Sequence, residues 1–198
     1  MCTIGRVKCC VPLVGLILLV GLTAFASGQV PPPRFKLIYE RSTAQPVLVV
    51  FTAKEIASAV LVETNRMRAL HGGAPLKPLA KLDAAADDQA AYLALSMHTS
   101  HDSPILGQRF PRERVQRHGL HPELVAENII SMGFTGPRPP PVSLAALAAE
   151  LVDQWMDSPV HRDNLLNPEF THLGCATRRA TLPGGTERFY SVQVFAAF

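Results

Sequence analysis

The sequence predicts an α+β fold, and three observations carry that prediction. Apolar residues recur at helical spacing in three long stretches, β-prone runs flank a Pro-Gly-Gly turn near the C-terminus, and the two kinds of element mix without regular βαβ alternation. At 198 residues and 47% hydrophobic content, the chain can bury one core and carry something further at its ends.

The chain opens MCTIGRVKCCVPLVGLILLVGLTAFASGQ, with Arg6 and Lys8 ahead of an apolar run from Val11 to Phe25 and small residues at Ala24, Ala26, Ser27 and Gly28. That is the layout of a secretory signal over residues 1–26. A span needs ~20 apolar residues, and Gly15 and Gly21 interrupt this run, so an uncleaved anchor is the weaker expectation and would change only the tethering. Residues 27–51 read as a linker or N-terminal extension, stiffened at Pro31-Pro32-Pro33 and carrying the strand-like runs LIY and VLVVF. The folded domain is expected over residues 52–198.

Thr52-Ala53-Lys54-Glu55 is a capping box, and Ile56, Ala59, Val60, Met67 and Leu70 continue one helical stripe until Gly72-Gly73. After a turn from Pro75 to Pro78, Leu82, Ala86, Ala90, Leu93 and Met97 define a second helix ending near Thr99, whose alanine face permits close packing. Ser100 to Gln108 reads as a loop and a natural site wall. A short basic helix closed by Gly119 follows; its Arg109, Arg112, Arg114 and Arg117 read as a solvated face. Val125 to Ser131 is β-prone, although Glu127 interrupts it and asks for a partner.

A stiff connection, Gly136 to Pro141, leads into the strongest stripe, Leu144, Leu147, Ala148, Leu151, Val152 and Trp155. Ser143 can cap that helix, and Ser158-Pro159 ends it, because proline disfavours helical geometry at the residue before it. Pro159 then suits the first turn of a shorter helix that raises His161 and Arg162. After His172, LGCATRRAT and ERFYSVQVFAAF flank Pro183-Gly184-Gly185 as an antiparallel pair.

Charge and cysteines exclude several functions. Removing Arg6 and Lys8 with the signal lowers the formal charge from +3 to +1, which leaves no field for nucleic acid or anionic lipid. Cys2, Cys9 and Cys10 leave with the signal, so Cys175 stands alone, forms no intramolecular disulfide and reads as a small buried thiol rather than a nucleophile. Neither an HExxH helix nor a GxSxG elbow is present.

Three separated polar positions remain: His101 after the second helix, Glu127 in the β-prone run and His161 after the strongest helix. Two imidazoles and a carboxylate are competent ligands for a zinc-like ion, or an acid, a base and an orienting group for hydrolysis. Each also has a plain structural reading: a loop residue, a satisfied buried carboxylate and the inner face of a short helix.

Asn65-Arg66, Ser100-His101, Ala126-Glu127-Asn128-Ile129, the run from Trp155 to Leu166, Thr171-His172-Leu173-Gly174 and Gln193-Val194-Phe195, in this order and at these intervals, resemble the CAP superfamily. This is the domain shared by cysteine-rich secretory proteins, insect venom antigen 5 and plant pathogenesis-related proteins, and the resemblance is to its bacterial secreted branch. It implies a three-layer α-β-α sandwich with a mainly antiparallel central sheet, and a cleft lined by two histidines and acidic residues. The matching positions are His101, Glu127 and His161; His98 competes for the first, but the spacing from Leu82 and Ala90 favours His101. Ser158 stands where the family's second acid is expected, so Asp157 or Glu150 would compensate only by turning into the cleft.

The resemblance points to a secreted module, extracellular or periplasmic, that binds a lipid, a peptide or a cell-wall component and requires no cofactor, with weak, adventitious binding of a divalent metal such as zinc expected rather than a built-in one. Membrane contact is expected only through an uncleaved N-terminal segment. The alternative is a metal-assisted, peptidase-like hydrolase in which His101 and His161 hold zinc and Glu127 is ligand or general base. A triad built on Ser100 or Ser158 ranks below it, and a third reading makes the histidines an acid-sensitive interaction surface.

Overall fold

The computed structural model describes residues 51–134 and 143–198. The signal expected over 1–26, most of the 27–51 extension and the Gly136 to Pro141 connection lie outside the described residues. The elements are α1 (Ala53–Leu70), β1 (Lys77–Pro78), α2 (Ala80–Ser96), α3 (Pro111–Arg117), β2 (Leu124–Phe134), α4 (Leu144–Asp157), α5 (Pro159–Leu166), β3 (His172–Thr181) and β4 (Glu187–Ala197).

The helices start where their caps place them. Glu55 N–H donates to Thr52 Oγ1 and Thr52 N–H to Glu55 Oε2, closing the capping box of α1. Ser143 Oγ accepts from Ala146 N–H at the start of α4, and Pro159 opens α5. Two details of the helical stripes differ from expectation. Leu70 is exposed, because the buried face of α1 runs instead through Ile56, Val60, Thr64, Met67 and Arg68. α2 stops at Ser96, with Met97 in the left-handed region at φ 56° and exposed.

The sheet order is β1-β3-β4-β2. β4 pairs antiparallel with both β2 and β3, and the β3–β4 turn runs through Gly184 (φ 91°) and Gly185 (φ 83°), positive values that suit a tight hairpin. The sheet is mainly antiparallel, as expected, and mixed through one short strand: Lys77 and Pro78, within the expected turn, pair parallel with His172 and Leu173.

Alternation along the strands divides the core into two layers. On one face Met132, Leu173, Cys175 and Phe195 pack with Trp155, Leu151 and Leu165 of α4 and α5 and with the apolar side of α1. On the other, Ile129, Ala176, Val192 and Val194 pack with α2 and with Val115 of α3. The result is helices on both faces of one sheet, with β2 at its edge.

Candidate functional site

The site is built where β2, the edge strand, meets the α2–α3 loop on one face and α5 on the other. Glu127 and Asn128 are successive residues of β2 and therefore point to opposite faces. Each grips one half of the site. On the α3 side, Glu127 Oε1 lies 2.9 Å from His101 Nδ1 and its Oε2 lies 2.7 Å from Arg114 Nη2. On the α5 side, Asn128 Nδ2 donates to the His161 carbonyl at 2.9 Å, and Asn164 Nδ2 donates to Asn128 Oδ1 at 2.9 Å. A polar chain continues inward: Asn128 Nδ2 also reaches Gln193 Oε1, and Gln193 Nε2 donates to Thr64 Oγ1 at 2.8 Å.

Arg114 corrects the reading of the basic run as surface. Its side chain is 1% exposed, as is that of Glu127. Nη1 donates to the Gln108 and Arg109 carbonyls, and Nη2 donates to the His101 carbonyl at 3.2 Å as well as to Glu127. A buried guanidinium is tolerable only when paired and hydrogen-bonded, and this one is both. The signal that could have found it was the demand of Glu127 for a partner, combined with the adjacent apolar Val115 on a helix too short to have a fully solvated face.

His101 is held at Nδ1 yet is 53% exposed, so its ring is both fixed and reachable. His98, its competitor, is exposed on the far side of Ser100 and does not take the Glu127 contact. His161 is half-buried; burial first, and then the nearby charge of His101, hold its pKa below the ordinary imidazole value. A groove of about 790 Å³ opens beside His101, lined by Tyr92, Ser100, Asp102, Ile105, Leu106 and Arg109 among others.

The compensating acids do not enter. Asp157 is exposed, and Glu150 Oε1 accepts from Gln154 Nε2 on α4. Among the described residues no group of three His, Cys, Asp or Glu side chains is arranged to hold a metal ion. Glu127 is instead held by two protein partners, one oxygen facing Arg114 Nη2 and the other His101 Nδ1. Cys175 is buried and burial pushes its thiol well up, in line with an inert side chain.

Comparisons with known proteins agree with this architecture. The family model described as "CAP: Cysteine-rich secretory protein family" matches residues 61–195, more than half of the chain. The "uncharacterized protein YkwD" of Bacillus subtilis (strain 168) is 29% identical over 137 residues, 67% of this chain and 48% of that protein. An extracellular protein containing a SCP domain from Bacillus anthracis str. Ames superposes with TM-score 0.56 at 25% identity, covering 74% of this chain and 41% of that one. The chain thus spans about half the length of YkwD and less of the Bacillus anthracis protein. The fold is also that of an outer surface protein from Borrelia burgdorferi, with TM-score 0.55 at 20% identity over 74% of this chain and 96% of that one. With the family model matched across both layers and the edge-strand site, this chain belongs to the cysteine-rich secretory protein (CAP) family.

Proposed function

We propose that this chain is a secreted CAP-domain binding module that captures an extracellular ligand, a lipid, a peptide or a cell-wall component, at the cleft between His101 and His161. The observation that carries the reading is the commitment of Glu127, whose two oxygens are spent on His101 and Arg114 while His101 itself stays half exposed. A buried ion pair behind a reachable imidazole suits recognition, which needs a shaped surface and a few oriented polar groups and no nucleophile. No cofactor is required for that role. Export is supported by the charged and apolar start of the sequence and by the description of the Bacillus anthracis relative as extracellular.

The metal-assisted hydrolase is the competing reading, and the engagement of both Glu127 oxygens by His101 and Arg114 weighs against it. The test incubates the protein separately with purified bacterial cell wall, with phospholipid vesicles and with a peptide library. Retention on one of the three, weakened in His161→Ala and without peptide turnover, is expected. Turnover that disappears in Glu127→Gln while the fold survives would overturn the binding reading.

A further inference from the structure

Arg114 touches both the loop that carries His101 and the carboxylate that meets its ring. Its guanidinium is buried, bonds three carbonyls of the loop that carries His101, including that of His101, and pairs with the carboxylate that meets the ring at Nδ1. We propose that Arg114 is a positioning residue for His101: by claiming one oxygen of Glu127 it fixes which atom of residue 127 meets the ring at Nδ1, and that atom in turn sets which ring nitrogen carries the hydrogen and what His101 presents to the cleft.

The argument is one of donors and acceptors. A carboxylate paired with a guanidinium has acceptors only, so the neutral His101 ring must place its hydrogen on Nδ1, toward Glu127 Oε1 at 2.9 Å. The other nitrogen, Nε2, is then a bare acceptor on the exposed side of the ring. That surface would favour ligand groups bearing a hydroxyl or amide N–H. This deepens the cleft reading and rests on it for what the nitrogen meets, whereas the tautomer itself does not depend on any ligand.

Glu127→Gln separates this role from a merely structural one. The amide has the shape of the carboxylate but one acceptor oxygen and one donor nitrogen. With Arg114 in place, a donor only, the oxygen must turn to the guanidinium and the NH₂ to His101 Nδ1. The ring is then forced to accept at Nδ1 and carry its hydrogen on Nε2. In the double variant Arg114→Met with Glu127→Gln, the amide is free to turn round and that compulsion is gone. Removing both charges leaves no unpaired buried ion, so the double variant is expected to fold, less stably because the Gln108, Arg109 and His101 carbonyls lose their donor; its backbone amide spectrum checks that the fold survives.

The experiment is ¹⁵N NMR of the His101 ring in ligand-free protein, followed to alkaline pH until the ring shifts stop changing. Wild type is expected to show an N–H shift at Nδ1 and a bare-nitrogen shift at Nε2, Glu127→Gln the reverse, and the double variant a fall in the Nε2–H form. Identical spectra for wild type and Glu127→Gln, or for the single and double variants, would overturn the proposal. A failure of every ligand probe above would leave these spectra unchanged, so the two ideas fail separately.

Discussion

Gly174 sets how closely the α2 layer approaches the sheet. It lies on β3 facing α2, and a Cβ there would fall inside the backbone of Leu82 and Asp83. The neighbouring Cys175 N–H donates to Asp83 Oδ1 at 2.9 Å, so the contact is fixed on both sides and cannot open by a side-chain rotation. Ordinary overpacking costs about 1–3 kcal/mol, and an obstacle made of backbone belongs at the top of that range or above it. Gly174→Ala is therefore expected to lose about 3 kcal/mol or more, read as a fall in the urea midpoint. A second residue-scale expectation concerns zinc. With Glu127 committed and no third donor arranged among the described residues, calorimetry should show at most weak heat, the same in wild type, His101→Ala and His161→Ala. A stoichiometric site abolished in both variants would restore the metal centre.

At the scale of elements, burial and capping contribute very different amounts. Thr52 closes its capping box at an exposed helix start, and Thr52→Ala is expected to cost about 1 kcal/mol. Trp155 is 1% exposed in the middle of the α4 stripe, where truncation to alanine should cost ~3–5 kcal/mol. Thermal or urea unfolding of the two variants side by side checks the ratio.

The same contrast explains what could be read from the sequence. The α4 stripe, the two caps, the α5 start at Pro159 and the Gly184-Gly185 hairpin all leave local marks, so they were legible. β1 was not, because two residues qualify as a strand only through pairing with His172 and Leu173, nearly a hundred positions away. At the site, His101, Glu127 and His161 were legible as residues, but the state of Glu127 was not. Its partner, Arg114, sits 13 positions earlier in a run whose composition looks like solvent-facing charge. Asn128, Asn164 and Gln193 stood in the recognised motifs without a role; the register of β2 against β4 joins the first to the last, and the packing of α5 on β2 brings in Asn164.

At the scale of the whole molecule, the two helical layers meet at one titratable place. His101 belongs to the loop over the α2 and α3 face, His161 to the α5 face, and the pKa of His161 is held down by burial and then by the charge of His101. His172, on β3, is lowered likewise by burial and by Lys77. For a histidine whose folded pKa is depressed, the unfolded chain binds protons more readily, so stability is complete above the unfolded pKa of about 6.5 and declines as the pH falls through it. Asp83 and Asp153 have raised pKa values, burial being the first cause in each, and contribute with the opposite sign in the carboxylate range at lower pH. The urea midpoint is therefore expected to fall between about pH 7.5 and pH 5.5, with a smaller fall in His161→Asn. His101→Ala removes the second cause and should raise the His161 titration midpoint measured by NMR. A midpoint indifferent to that substitution would mean that the two faces of the sheet do not communicate through these rings.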